Sequence, residues 1–146
     1  MENSTGSLFV AVAGRGATRN GAPISVSGGS GLDRARVAGP RHHLERLAGL
    51  VPGIRPVPKI HSLALRLARV AQGALDAAIA SRSAHDWDLA AADLLVHEAG
   101  GALTALEGER PRYNRADPVH GSLIAAGCAR HASLVDLLRG RRREFA

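Results

Sequence analysis

HDWDLAAADLLVHEAGGALT, residues 85–104, decides how this chain is read. Trp87-Asp88 leads into a largely apolar stretch from Leu89 to Ala99, so a helix is expected over residues 86–98. Gly100-Gly101 stops it, and ALTAL (102–106) follows as a strand. Asp86 or Asp88 then stands in the first helical turn. The unpaired N–H groups and the helix dipole favour an acid there by roughly 0.3–1 kcal/mol. A cap is the ordinary reading of such an acid. The same geometry admits a second: a carboxylate held at a helix start, beside a tryptophan, can offer an oxygen to Mg²⁺ at the edge of a cleft. The residues alone leave both open.

The segments on either side alternate. LDAAIAS (75–81) reads as a buried strand. SLALRLARVAQG (62–73) reads as an amphipathic helix, with Ser62 as N-cap and Gly73 just past the end. Leu63, Leu67 and Val70 share its apolar stripe, and Arg66 and Arg69 lie elsewhere. Further back, residues 54–57 make a brief strand, and Pro40 opens a helix whose Leu44, Leu47 and Leu50 keep helical spacing. RARVAG (34–39) is a short strand and SGGSG (27–31) a flexible joint. SLFVAVAG (7–14) begins a hairpin, with Asn20-Gly21 as its turn. Beyond the opening stretch come a polar loop (107–121), the strand SLIAAG (122–127) and the helix HASLVDLLRG (131–140). Strand and helix alternating in this way predict an α/β fold, a mostly parallel or mixed sheet with helices on its faces. There is no internal repeat.

At 146 residues, 45% apolar and 22% charged, the chain is one globular domain. No apolar run reaches the roughly 20 residues that span a bilayer. The first residues carry an acid where a signal peptide has a basic flank, so none is expected. With a single cysteine, Cys128, no internal disulfide forms, and the cytoplasm is the expected compartment. Cys128 reads as a small buried hydrophobe. The net charge of +6 and pI near 11.1 raise nucleic acid as a ligand. Against that, the basic residues are dispersed, with one dense run at 139–143, and four aromatic residues give no stacking platform. An anionic small substrate fits the charge equally well.

Trp87, Asp88, Ala90, Ala91, Leu94, Leu95, then Glu98-Ala99-Gly100-Gly101 and Thr104 form a pattern that resembles the C-terminal signature of the inositol monophosphatase superfamily. Its members are Mg²⁺-dependent, lithium-sensitive phosphatases of small phosphorylated sugars and nucleotides. Two further blocks are similar to the family: residues 6–27, with Gly14, Gly16, Ala17, Asn20, Gly21 and Ile24 in register, and residues 59–79, where a small hydroxyl residue opens a helix. The resemblance implies the fold of the family's C-terminal domain over 32–140, a hairpin and joint at 1–31 belonging to the sheet of the N-terminal domain, and a basic tail at 141–146. It implies that two or three cations bridge phosphate and an activated water, with ions roughly 3.5–4 Å apart. Asp88 would be one metal ligand. Ser62 and the backbone of Leu63 would stand at the substrate rim, with Lys59 and His61 favouring an anionic, phosphorylated substrate.

The resemblance breaks where the cations would be held. The family's main ligands are a glutamate and a D-P-[IL]-D-G-[ST] motif, and both precede the segment with which this sequence opens. Asp117-Pro118-Val119-His120-Gly121-Ser122 imitates the motif, but His120 replaces the second aspartate and the run follows Asp88; it reads as turn chemistry. One carboxylate does not hold a cation pair. The chain is therefore read as the C-terminal half of a phosphatase, without activity by itself. Its general look is nearer to bacterial 3'(2'),5'-bisphosphate nucleotidases, with inositol-1-phosphate phosphatase as the alternative. Two other classes remain: a non-catalytic partner that pairs through the hairpin's open edge, with a second copy or with an N-terminal half, and a basic nucleic-acid-binding module. The seven histidines show no zinc spacing, and Glu98 reads as a surface residue. The glycines of residues 13–21 suit turns, and there is no G-x-S-x-G elbow.

Overall fold

The computed structural model describes residues 6–57, 60, 62–82 and 84–145. Three short antiparallel strands come first: β1 (Phe9–Ala11), β2 (Ala17–Arg19) and β3 (Ala22–Pro23). The expected hairpin is thus a three-stranded sheet, in which Asn20-Gly21 makes the second of two turns. Both turn residues have positive φ, 51° and 83°, and the strands beyond them pair Arg19 with Ala22. Asparagine and glycine tolerate that conformation, which matches the twist of the flanking strands. Along β1, Phe9 and Ala11 pack inward, whereas Leu8, Val10 and Val12 are exposed. The sheet therefore shows an uncovered apolar face.

The main sheet is mixed and five-stranded. Its order is β5 (Arg55–Pro56), β4 (Arg36–Ala38), β6 (Ala77–Ala80), β10 (Leu123–Gly127), β8 (Gly101–Ala105). β4 pairs in parallel with β5 and β6, while β10 runs antiparallel to both β6 and β8. Alternation along the central strands divides the core in two. Ala78, Ala80, Leu123 and Ala125 face α2 (Leu63–Ala71) and α3 (Asp86–Glu98). Ala77, Ile79, Ile124 and Ala126 face α1 (Arg41–Leu50), α4 (Cys128–Leu138) and α5 (Arg142–Phe145). A strand covered on both faces must be apolar throughout, and alanine there lets a helix come close. Each fully buried leucine, such as Leu67, Leu89 or Leu134, contributes roughly 1.5–3 kcal/mol. Among the described residues, no helix is long and apolar enough to cross a membrane.

Local chemistry explains several boundaries. Ser62 Oγ accepts the N–H of Leu65 at 3.1 Å, the expected N-cap. Gly100 ends α3 at φ 92°, and a Cβ on Gly101 would lie 2.8 Å from Ala126 O and 2.9 Å from side-chain carbons of Val26 and Val96. One glycine is needed for its conformation, the other for its size.

Three further features differ from expectation. α4 starts three residues early, so that Cys128 is exposed rather than buried, its Sγ donating to Gly100 O at 3.2 Å. The joint at 27–31 is held, not free: the Arg130 guanidinium donates to Gly31 O (2.9 Å), Gly28 O (3.0 Å) and Ser27 Oγ (3.1 Å). Residues 141–146, read as a basic tail, include α5, and Phe145 is fully buried. In the dense basic run, Arg139 pairs with Asp136 and Arg141 with Glu144.

Two buried titratable groups make stability pH-dependent in the same direction. Burial pushes the Asp76 carboxyl up, but hydrogen bonds from the Arg36 guanidinium and backbone N–H, and from Ser27, outweigh it and hold the group well below the usual range. A depressed carboxylate stabilises the fold above its unfolded pKa, about 3.9, and loses that contribution as pH falls. His131, whose Nε2 lies 2.7 Å from Thr104 Oγ1, has its pKa lowered by burial. Below about pH 6.5 the unfolded chain takes up that proton and the fold resists it, so stability falls there too. Asp76→Asn is expected to cost roughly 1–3 kcal/mol at pH 7. The cost should shrink below about pH 4, which urea unfolding at the two pH values would check; an unchanged gap would count against the ion pair.

Candidate active-site cleft

The N-terminal ends of α2 and α3 come together beyond the C-terminal end of β6, because both helices pack side by side on one face of the sheet. A cleft of about 380 Å³ opens there, lined by Ser62, Leu63, Arg66, Ala80, Ser81, Ala84 and Asp88. Crevices at the carboxyl ends of strands are the usual place for ligands in α/β folds, where helix N–H groups point at an anion. Three residues singled out from the sequence, Ser62, Leu63 and Asp88, thus line one cleft although 26 positions separate the first from the last. Lys59 and His61 lie outside the described residues.

Asp88 is exposed, and its Oδ2 accepts the backbone N–H of His85 at 2.9 Å, the carboxylate half of a capping box. Both readings of this acid therefore survive in one geometry: one oxygen caps the helix, and the side chain also borders the cleft. Trp87 beside it is 74% exposed and stacks on His85, with ring centroids 4.3 Å apart.

A magnesium ion does not fit the residues present. Among the described residues no three histidine, cysteine, aspartate or glutamate side chains converge on a point that could hold a metal. Mg²⁺ needs octahedral oxygen ligands, at least one or two of them carboxylates, together with water or phosphate. Asp88 alone, with one oxygen already accepting a hydrogen bond, falls short of that.

Arg66, placed from the sequence away from the apolar stripe, braces the cleft wall. Its guanidinium donates to Ile79 O (3.0 Å) and Ile60 O (2.8 Å), and burial lowers its pKa. It ties the segment before α2 to the end of β6. Glu98, read as a surface residue, accepts the N–H groups of Gly14 (3.1 Å) and Gly16 (2.9 Å). These two bonds hold its carboxyl below the usual range and fasten the β1–β2 turn to the far end of α3. An acid disfavoured by the helix dipole is kept there by donors from another sheet. The G-x-G of the turn and the Glu-Ala-Gly-Gly of α3 were visible as separate blocks; nothing in either announced the bond between them.

The 107–121 loop is polar, as expected, and Asp117 Oδ1 caps its turn by accepting the N–H of Val119 at 3.1 Å. It also forms β9 (Val119–His120), which pairs with β7 (Ala84–His85). His120 is buried, with Nε2 2.6 Å from Asp86 Oδ1. The N–H of Asn114 and then His120 hold the Asp86 carboxyl below its ordinary range. Tyr113 donates to Asp93 Oδ2 at 2.7 Å, and burial followed by that acid raises its pKa. Elsewhere, a groove of about 420 Å³ bordered by Leu44, Ala48, Pro56 and Val57 is apolar, and the Arg41–Glu45 ion pair at its edge is exposed.

The fold and its cleft define a layered α/β domain with a ligand crevice at two helix starts, and comparison with known proteins names the family. Residues 3–140 match the model of the inositol monophosphatase family, and the chain belongs to that family. It is 37% identical over 129 residues to the fructose-1,6-bisphosphatase/inositol-1-monophosphatase of Methanothermobacter thermautotrophicus, covering 85% of this chain and 45% of that protein. It is 48% identical over 63 residues to the inositol-1-monophosphatase of Bacillus subtilis, covering 43% of this chain and 23% of that one. The solved inositol monophosphatase from Anabaena (Nostoc) sp. PCC 7120 superposes with a TM-score of 0.75 at 30% identity, covering 92% of this chain and 54% of that one. The chain spans about half the length of these matched relatives or less, and corresponds to their C-terminal part.

Proposed function

We propose that this chain contributes one wall of the active site of a magnesium-dependent phosphatase of small phosphomonoesters. The observation that carries this reading is the single cleft bordered by Ser62, Leu63 and Asp88. In it, Asp88 supplies one cation ligand, and Ser62 with the Leu63 backbone forms the substrate rim. Lys59 and His61 are assigned to the same rim from the sequence. The remaining cation ligands, a glutamate and the D-P-[IL]-D-G-[ST] acids, come from an N-terminal half that joins the three-stranded sheet. The exposed stripe of Leu8, Val10 and Val12 supports that arrangement, since such apolar patches mark contact surfaces.

Of candidate substrates, a 3'(2'),5'-bisphosphate nucleotide is our first choice from the look of the sequence alone, and inositol 1-phosphate is the substrate that the names of the relatives reported above support. Phosphate release should be measured on the 146-residue chain and on the same chain joined to a family N-terminal half, with and without Mg²⁺. The isolated chain should release none, and the joined protein should do so only with the ion. Release by the isolated chain that Asp88→Asn abolishes would show a self-sufficient enzyme and end the proposal. The preferred substrate is the one of the two with the higher kcat/KM.

A further inference from the structure

The start of α3 carries Asp88, which lines the cleft, yet little packs on that turn. Trp87 is 74% exposed and Asp88 is exposed as well. First turns of helices fray, because their N–H groups lack partners within the helix. Asp88's own bond reaches back only to His85, three residues away, and cannot fix the turn relative to the opposite cleft wall. Something else must.

The hydrogen bonds that tie residues 84–88 to distant parts of the chain, among the described residues, run to the 107–121 loop. Asp86 N–H donates to Pro118 O at 3.1 Å, and Asn114 N–H donates to Asp86 Oδ2 at 2.9 Å. Asp86 Oδ1 meets His120 Nε2 at 2.6 Å, and Ala84 and His85 pair with His120 and Val119 as a two-stranded ladder. Tyr113 leans on the His120 ring at 5.5 Å and anchors the loop to Asp93, about two turns along the helix.

We infer that Asp86 and His120 are positioning residues: their hydrogen bond clamps the 107–121 loop across the first turn of α3 and so sets where Asp88 stands in the cleft. The importance of this for catalysis rests on the assignment of Asp88 proposed above; the clamp itself does not. His120 is nearly buried, so its bond to Asp86 is shielded from competing water. In a loop of polar and turn-forming residues, it joins Tyr113 in converting a surface excursion into a fixed strap.

Two substitutions separate the bond from the packing. His120→Phe keeps a ring against Tyr113 but removes the Nε2 donor, whereas His120→Gln keeps an amide donor and loses the ring. Both would be examined in the 146-residue chain by hydrogen exchange at the amides of His85, Asp86 and Asn114, with those of Ile124 and Ala125 in β10 as internal controls. Trp87, the single tryptophan, adds its fluorescence anisotropy as a local reporter. In His120→Phe, exchange at the three amides should rise about tenfold or more with the controls unchanged, and anisotropy should fall. His120→Gln should stay close to the parent on both measures. Unchanged exchange in His120→Phe, equal loosening in the two variants, or a uniform rise that includes the β10 controls would each overturn the clamp. None of these readings involves phosphate release, so a wrong substrate or a wrong role for Asp88 leaves the test intact.

Discussion

The substitution Asp88→Asn is expected to remove Mg²⁺-dependent phosphate release from the joined phosphatase while leaving this chain folded. The exchange is nearly isosteric. The amide oxygen of the substituted side chain can still accept the His85 N–H that Asp88 Oδ2 now takes at 2.9 Å, so that the fold loses only the charge's favourable interaction with the helix dipole, a few tenths of a kcal/mol at this exposed position. What disappears is the negative charge that a divalent ion requires. Electrostatic stabilisation by a metal amounts to several kcal/mol of the barrier, so kcat/KM should fall about a hundredfold or more. Thermal unfolding of the variant should shift by no more than about 2 °C, in line with a few tenths of a kcal/mol at an exposed site. Activity within about threefold of the parent would remove Asp88 from the cation site and leave it as a cap alone.

Truncating Arg130 to alanine should destabilise the fold by about 3 kcal/mol, one of the largest losses expected for a side chain outside the apolar core. The residue is 8% exposed, and three of its nitrogens donate to two carbonyls and a hydroxyl of the 27–31 segment. Alanine would leave those acceptors facing a void. Lysine should recover only part of the loss, because one ammonium cannot serve three acceptors spread around a planar fork. Denaturant unfolding of the two variants would check both magnitudes; equal stability of the parent and Arg130→Ala would refute the role. The segment at stake joins the three-stranded sheet to the rest, and Glu98, with its two bonds to the β1–β2 turn, is another fastening.

Much of this was legible in the sequence because its causes are local. Ser62 caps its helix with an oxygen three residues from the amide it accepts. Asn20-Gly21 turns where two positive φ values are needed, and Gly100-Gly101 closes α3 by conformation and by size. The strands of the mixed sheet followed from apolar runs such as Ala77–Ala80, next to a helix, α2, of plain 3.6-residue period. The site was half legible. Asp88, Ser62 and Leu63 line one cleft, but Arg66 was placed only as lying off the apolar stripe, and Ser81 was read only as the end of a buried strand. The exposed Cys128 was misread because the strand before it is wholly buried, and α4 begins earlier than its apolar residues suggest.

Periodicity and turn chemistry were enough, from the sequence by itself, to predict an α/β chain with Asp86 and Asp88 at the head of a helix, and the resemblance of three ordered blocks pointed to the inositol monophosphatase family. Only the tertiary structure decided who those acids' neighbours are, and what Glu98, Arg130 and His120 are for. Their partners lie 84, 102 and 34 positions away. A hydrogen bond across such a separation imposes no spacing on the sequence; it exists only because helices and strands, formed for local reasons, pack their apolar faces and bring those groups within 3 Å or so of one another.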